Sequence, residues 1–197
     1  MKFIVITGPS GSGKTTLSQY LNSKFSQSIV LNTDNYYKTT FISKFLSNFI
    51  RGYFDKLISF DKSLFIKDLI YIINNKSSTH YYKYDFRNKR KDKVNETIEK
   101  VKLIIIEGIF SLEAIEHITN KNYLVLKLDI EENICSQRII YRDYKERGKD
   151  QEKAYIDFRN GWNIYKINSK KYSIPNKKIV LIKSPEEIER VIKKLAI

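Results

Sequence analysis

The chain is poor in the residues that define several structural classes. Its 197 residues include one cysteine, three prolines and seven glycines, which excludes a disulfide framework, a thiolate zinc site, and collagen-like or proline-rich repeats. The single thiol, Cys135, is typical of a reducing compartment, and we expect a cytoplasmic protein. No apolar run approaches the roughly 20 residues that cross a bilayer, so we expect no membrane partner. The four apolar residues after Lys2 are too few for a signal-peptide core.

Acidic residues are scarce relative to basic ones: 22 Asp and Glu face 36 Lys and Arg, for a net charge of +14. Such a charge is typical of proteins that bind nucleic acids, and a nucleic-acid-binding module is one hypothesis. The excess is regional, because residues 83–93 carry six bases against two acids and residues 166–178 carry five bases and no acid. Since these bases do not alternate with aromatic residues in an RNA-binding pattern, a nucleic-acid partner is the weaker interpretation.

Apolar periodicity predicts strands that alternate with helices, which favours an α/β fold with a mainly parallel sheet of five strands, in a single domain over residues 1–197. The predicted strands are at residues 2–7, 29–31, 103–106, 123–129 and 179–182, and the predicted helices are at 17–25, 61–73, 131–144 and 151–168. Residues 80–86 and 94–100 predict a β-hairpin, and residues 38–60 a helix and a loop. Ser184 begins the pattern of a last helix, with Pro185 at its first position.

Residues 8–15, GPSGSGKT, match the phosphate-loop pattern G-x-x-x-x-G-K-[ST]. The glycines let backbone N–H groups surround a β-phosphate, Lys14 bridges the β- and γ-oxygens, and the Thr15 hydroxyl ligates Mg²⁺. A strand before the loop and a helix after it are the context that this motif requires. We therefore expect a P-loop NTPase-type fold that binds ATP, or GTP as the alternative donor, with Mg²⁺. The candidate ATP-binding residues in the loop are Gly8, Ser10, Gly11, Ser12, Gly13, Lys14, Thr15 and Thr16.

Two carboxylates, Asp34 and Glu107, follow predicted strands. The carboxyl ends of parallel strands face the ligand crevice, so Asp34 is expected near the γ-phosphate as the base for an acceptor hydroxyl. Glu107 is in a Walker-B-like position for Mg²⁺, and Gly108 after it allows close approach of the backbone. Two simpler interpretations are open: Asp34 as the cap of a helix that starts at residue 35, and Glu107 as a carboxylate that only hydrogen-bonds a loop.

Basic residues crowd the predicted turn between the last two long helices, where Arg142, Lys145, Arg147 and Lys149 surround Gly148. Cations on a hinged loop neutralise the charge of a transferring phosphoryl group and exclude water. This pattern predicts a lid. The alternative is a solvated helix with pairs such as Asp143–Arg147.

The blocks GPSGSGKTT, DNYYK, YFDKLISFD, YYKYDF, LIIIEGIF and RIIYRDYKERGKD, in this order, resemble the uridine kinase (uridine–cytidine kinase) family of P-loop nucleoside kinases. The resemblance extends from residue 3 to about residue 175. It implies a three-layer α/β/α fold with an acceptor-binding insert at about 35–100 and a helical lid at about 138–153. It also implies γ-phosphoryl transfer from ATP to the 5′-hydroxyl of uridine or cytidine, as in pyrimidine salvage, and a homo-oligomer.

The resemblance implies a role for each matched residue. Asp34 corresponds to the catalytic base and, with Thr15 and Glu107, lies at the metal. The acceptor-binding residues that it implies are Asp34, Tyr37, Asp55, Tyr84, Phe86 and Lys89. The cations that it places on the phosphates are Lys14, Arg142, Arg147 and Lys149, of which the first three are candidate catalytic residues together with Asp34.

Three positions depart from the family's pattern. Lys89 stands where the family usually has a His that reads the pyrimidine, Ile139 where it has a second Arg beside Arg138, and Asp157 where it has a Gln. Because lysine offers no hydrogen-bond acceptor, a kinase of another nucleoside, a sugar phosphate or a vitamin-like alcohol is the alternative.

A GTPase or ATPase switch is disfavoured. The nearest match to the guanine motif N-K-x-D is at residues 120–123, where Tyr123 replaces the Asp. The two histidines, His80 and His117, are expected to be surface or structural residues. Trp162 has helical spacing with Phe158 and is expected to pack in the core.

Overall fold

The computed structural model describes residues 1–172, 174–184, 187–188 and 193, without the side chains of residues 146 and 147. The strands in the described part are β1 (Lys2–Thr7), β2 (Ser28–Asn32), β3 (Ser78–Asp85), β4 (Arg90–Ile98), β5 (Leu103–Glu107), β6 (Asn122–Leu128) and β7 (Ile179–Ile182). The helices are α1 (Lys14–Lys24), α2 (Phe41–Phe49), α3 (Lys62–Asn75), α4 (Ile115–Ile118), α5 (Glu132–Arg147) and α6 (Gln151–Asn168). None of these helices has the length and apolar composition needed to cross a membrane.

Five strands form one sheet in the order β2-β5-β1-β6-β7, with every pairing parallel. This confirms the predicted sheet. Glu107 at the end of β5 lies opposite Ile6 of β1 on one side and Asn32 of β2 on the other. The carboxyl ends of these three strands therefore lie side by side, and the loops that follow them share one edge of the sheet.

Helices cover both faces of the sheet. Successive residues of a strand point to opposite faces, so Phe3 of β1 packs in one buried cluster with Leu69 of α3, while Ile4 packs in another with Leu21 of α1. Strands that are buried on both faces have continuous apolar sequences, and the fully buried β5 is apolar up to Glu107 at its end. The result is the expected three-layer α/β/α arrangement.

Strands β3 and β4 form an antiparallel hairpin outside the main sheet, as predicted. The basic residues 83–93 lie on this hairpin, and Lys89 occupies its turn with a left-handed φ of 48°. The preceding helix, α3, begins where expected, because the Asp61 side chain accepts a hydrogen bond from the backbone N–H of Leu64. His80 lies within β3 and His117 within α4.

The turn between α5 and α6 is shorter than predicted. Helix α5 continues through residue 147, so the expectation that Lys145 and Arg147 lie in a turn is wrong. The helix ends at Gly148, whose left-handed φ of 65° suits a glycine. Ile139 of α5 and Phe158 of α6 lie in one buried cluster, and Trp162, expected in the core, is partly buried and packs against it. The start of the predicted last helix, residues 185 and 186, lies outside the described residues.

Substitution of Leu69 tests the packing of α3 on the sheet. Leu69 is fully buried, whereas its neighbour Ile70 is 42% exposed. We expect Leu69→Ala to lower the free energy of unfolding by about 3 kcal/mol, because it removes apolar contacts and leaves a cavity. Ile70→Ala is the matched control and should cost less than about 1 kcal/mol. Urea denaturation followed by circular dichroism measures both, and equal losses would contradict this packing.

Candidate active site

The phosphate loop connects β1 to α1 and packs against α5. Gly11 and Gly13 have left-handed φ values of 82° and 93°, which glycine adopts without strain. A Cβ atom at Gly11 would lie 2.5 Å from the Cys135 carbonyl oxygen of α5, so only a glycine permits this contact. One guanidinium nitrogen of Arg138, also on α5, donates to the Gly11 carbonyl at 3.2 Å. The loop is therefore held by both its own backbone geometry and a neighbouring helix.

Lys14 begins α1 and is almost completely buried. Its ammonium group donates hydrogen bonds to the carbonyl oxygens of Gly8 and Pro9, at 3.0 and 2.9 Å. Burial lowers the pKa of Lys14, while the negative charges of Asp34 and Glu107 oppose this shift. A cation and two carboxylates thus lie within electrostatic reach of one another at the carboxyl edge of the sheet.

Asp34 lies on a single turn of 3₁₀-helix, Thr33–Tyr36, that follows β2. The cap of this turn is Asn32, whose side-chain oxygen accepts a hydrogen bond from the Asp34 backbone N–H at 2.7 Å. The interpretation of Asp34 as a helix cap is therefore wrong. The Asp34 carboxylate lies close to the β5 end, because a Cβ atom on Gly108 would come within 3.2 Å of its Oδ1.

Glu107 is the last residue of β5, and only 1% of its surface is exposed. Its Oε1 accepts a hydrogen bond from the Thr15 hydroxyl at 3.0 Å, which joins it to the phosphate loop. Burial raises the pKa of Glu107 to about 7, and the nearby Asp34 charge adds to this shift. Lys14 and the hydrogen bonds from Thr15 and Asn32 oppose it. Glu107 therefore bonds to the phosphate loop, and its carboxyl group is poised between its neutral and charged forms near neutral pH.

Aromatic side chains form a compact cluster beside this edge. The Tyr37 ring is buried, and its centroid lies 5.2 Å from that of Tyr84 and 5.6 Å from that of Phe86. Its hydroxyl donates to the Phe54 carbonyl oxygen at 2.9 Å. All contacts among these rings are edge-to-face, a favoured geometry for aromatic pairs. The structure thus brings together three of the predicted acceptor residues, Tyr37, Tyr84 and Phe86.

Asp55 lies on a 3₁₀ turn, Tyr53–Asp55, and its carboxylate packs against α6. A Cβ atom at Gly161 would lie 2.9 Å from its Oδ1, so the glycine allows this approach. Asp55 shares a cavity with Ser10 of the phosphate loop and Phe110. Asp55 and one residue of the phosphate loop therefore line the same cavity, while Lys14, Asp34 and Glu107 do not line it.

Lys89 points to a different neighbour. Its ammonium group donates to the Ser47 hydroxyl at 2.8 Å and to the Asn48 side-chain oxygen at 2.6 Å, both on α2. These hydrogen bonds fasten the hairpin turn to α2. The structure does not bring the Lys89 ammonium into the aromatic cluster, although its role in acceptor binding stays a prediction.

Two of the predicted lid cations are paired within the protein. Arg142 forms a two-point hydrogen bond with the buried Asp143 Oδ1, while the Lys149 ammonium lies 3.2 Å from Asp143 Oδ2 and 2.8 Å from Asp157 Oδ2. Asp143 is therefore a buried acidic centre and not part of a solvated helix face. The side chain of Arg147, the third predicted lid cation, lies outside the described residues.

The sequence model of the Phosphoribulokinase / Uridine kinase family matches residues 3–178. The chain belongs to this family. A uridine kinase from Borrelia turicatae (strain 91E135) is 36% identical over 155 residues, which are 77% of this chain and 72% of that protein. A uridine kinase from Leuconostoc citreum (strain KM20) is 32% identical over 152 residues, which are 74% and 70% of the two chains. This member of the family is a phosphotransferase that acts on a hydroxyl group.

Solved structures support the same fold. A candidate fructose transport system kinase from Silicibacter sp. TM1040 superposes with a TM-score of 0.69 and 17% identity, covering 92% of this chain and 89% of that one. YFH7 from Saccharomyces cerevisiae, a candidate P-loop kinase with a circular permutation, has a TM-score of 0.68 and 12% identity, with coverages of 93% and 92%. At these identities the likeness concerns the P-loop kinase fold.

Three residues that contact the candidate site were not predicted to do so: Asn32, Arg138 and Asp143. Asn32 ends β2 directly beside Glu107, and its polar amide at a strand's carboxyl end was an available signal. Arg138 and Asp143 lie on α5, five residues apart, and both contact other parts of the site. Sequence spacing alone does not show that the same helix supports the phosphate loop and pairs with the lid cations.

The raised pKa of Glu107 predicts a specific pH dependence of stability. Between its ordinary value of 4.5 and about 7, the folded protein holds this proton more tightly than the unfolded chain. The free energy of unfolding should therefore fall as pH rises through this window, by up to about 3 kcal/mol. Glu107→Gln should remove this contribution, as measured by urea denaturation at pH 5 and pH 8 without divalent cations. Glu96→Gln, on exposed β4, is the control, and the same pH dependence in both variants would contradict the assignment.

Proposed function

We propose that the protein transfers the γ-phosphoryl group of ATP to the 5′-hydroxyl of a nucleoside, with uridine or cytidine as the acceptor. The convergence of Lys14, Asp34 and Glu107 beside an aromatic cluster carries this proposal. One edge of the sheet thus offers a phosphate loop, a carboxylate for a hydroxyl proton, and flat apolar surfaces for a base. The relatives that are named uridine kinase support a nucleoside acceptor.

The phosphate loop is suited to the donor. Lys14 is tied to loop carbonyls and can exchange them for phosphate oxygens, which are better partners for an ammonium group. The Ser12 hydroxyl is buried and has no hydrogen-bond partner among the described residues. Such a hydroxyl is suited to donate a hydrogen bond to a phosphate oxygen. ATP is the proposed donor and GTP the alternative.

The donor set beside the loop fits Mg²⁺. The Thr15 hydroxyl and the Glu107 carboxylate already contact each other, and Asp34 lies across the same edge, so three oxygen donors of the kind that Mg²⁺ prefers are available. Thr15, Glu107 and Asp34 are the residues that would hold the ion. Bound Mg²⁺ supplies charge neutralisation on the phosphate oxygens.

The acceptor is served by Asp34 and the aromatic cluster. Asp34 accepts the proton of the acceptor hydroxyl, and Lys14 stabilises the negative charge of the transferring group. Tyr37, Tyr84 and Phe86 provide surfaces for the base, and Asp55 accepts hydrogen bonds from the ribose. Arg142, Arg147 and Lys149 form the lid that covers the phosphates and excludes water. The pyrimidine salvage that this reaction serves takes place in the cytoplasm, and a homo-oligomer stays a prediction of the family resemblance.

The role of Asp34 is tested by Asp34→Asn. The amide cannot accept the proton, so kcat should fall by at least about 10²-fold, while ATP affinity measured without Mg²⁺ stays near that of the wild type because the phosphate loop is unchanged. ADP release measures the first quantity and equilibrium binding of a fluorescent ATP analogue the second. Asp92→Asn, on the exposed hairpin, is the matched control. Turnover near that of the wild type would exclude Asp34 as the base.

The placement of Lys89 favours a second candidate, a kinase of a different alcohol. Because Lys89 binds α2 and offers no acceptor atom, recognition of a pyrimidine edge from this position is not supported, and the basic hairpin suits a more anionic acceptor.

For the leading proposal, we expect ADP release with uridine or cytidine to exceed that with purine nucleosides, ribose phosphates and vitamin-like alcohols by at least about tenfold. A higher kcat/KM for one of the other acceptors would replace the nucleoside in this proposal.

A further inference from the structure

The proposed base, Asp34, lies on a structural element that is not stable alone. Thr33–Tyr36 is one turn of 3₁₀-helix, and so short a helix has too few internal hydrogen bonds to hold its own geometry in water. Phosphoryl transfer requires the carboxylate to stay aligned with the acceptor hydroxyl. The side chains that anchor this turn to the rest of the fold therefore decide where Asp34 points.

Tyr36, the last residue of the turn, is anchored to α3. Its side chain is only 3% exposed, and its hydroxyl donates a hydrogen bond to Asp68 Oδ2 at 3.0 Å. Its ring packs edge-to-face on Phe65 of the same helix. Burial and the adjacent Asp68 raise the pKa of Tyr36 well above its ordinary value, which keeps the hydroxyl protonated as a hydrogen-bond donor.

A residue of the hairpin also lies close to the Asp68 carboxylate. His80 Nε2 of β3 lies 3.6 Å from Asp68 Oδ2, and it is buried without a hydrogen-bond partner among the described residues. The Tyr82 ring contacts both Tyr36 and His80 edge-to-face. The further charged groups beside this cluster are Lys91 of β4, above the Tyr82 ring, and Asp61, which pairs with Lys91. Asp68 is thus the point at which α3, the hairpin and the Asp34 turn meet.

We propose that Tyr36 and Asp68 are positioning residues for phosphoryl transfer: their hydrogen bond fixes the turn that carries Asp34, and His80 supports Asp68 from the hairpin. The inference rests on the proposed function of Asp34 as the base. Neither residue lies on the phosphate loop, so loss of the bond should misplace the base and leave donor binding unaffected. The expected signature is a change in kcat without a change in KM for ATP.

The test uses Tyr36→Phe, which removes only the hydroxyl, and Asp68→Leu, which removes its acceptor. Each should lower kcat by about tenfold or more at unchanged KM for ATP. Asp68→Asn keeps an acceptor oxygen for Tyr36 and should retain most of the wild-type kcat. The matched control is Tyr71→Phe, a tyrosine on the exposed side of α3, which should behave like the wild type.

A double-mutant cycle of Tyr36→Phe and Asp68→Leu in urea denaturation measures the coupling of the two side chains without any activity. Wild-type kcat in Tyr36→Phe, even with reduced thermal stability, would overturn the positioning role and leave the proposed function intact. An equal loss of kcat in Asp68→Asn and Asp68→Leu would also overturn it, because kcat would then not depend on the hydrogen bond from Tyr36. A wild type that phosphorylates none of the candidate acceptors, with the coupling still present, would overturn the proposed function and this inference with it.

Discussion

The burial of Lys14 beside two carboxylates is the constraint on which the site depends. An ammonium group without water is costly unless opposite charge lies close by, and Asp34 and Glu107 provide that charge. Each of the three residues follows or ends a different strand. They meet because β5 lies between β1 and β2 in the sheet, all three in parallel. The strand order is therefore what lets these residues stabilise one another.

Close approaches between backbone segments fix the positions of the loops around Lys14, Asp34 and Glu107. A Cβ atom at Gly108 would lie 2.0 Å from Thr33 Oγ1, and one at Gly11 would lie 2.5 Å from a carbonyl oxygen of α5. Both glycines also have left-handed φ values, so a side chain would be strained as well as crowded. The first approach sets the distance between the Asp34 turn and β5, and the second sets the phosphate loop against α5. At both of these positions a glycine lies where two segments nearly touch.

The placement of the phosphate loop, Asp34 and Glu107 at one edge of the sheet could be predicted from sequence, because it follows from a local motif and a general rule for parallel strands. Residues 8–15 carry their chemistry in one continuous motif, and the parallel-strand rule places Asp34 and Glu107 at the same edge. The hydrogen bond of Tyr36 to Asp68 and that of Lys89 to Ser47 could not be predicted, because they join residues 32 and 42 positions apart. Such pairings depend on how segments that are distant in sequence pack against each other. The missed length of α5 has a different, local cause: its helical pattern continues through residue 147, and Gly148 is the residue that ends it.

The proposed acceptor site and lid are assembled from separate segments, and the pairings of their cations constrain what they can bind. Lys89 is held by α2, and Lys149 is held by Asp143 and Asp157. Each cation therefore already has partners that any ligand must outcompete. An amide and a hydroxyl are weak partners, whereas two carboxylates compete strongly with phosphate. For the proposed kinase, an anionic acceptor would therefore compete more easily for Lys89 at the hairpin, while Lys149 would reach a phosphate only by exchanging one anionic partner for another.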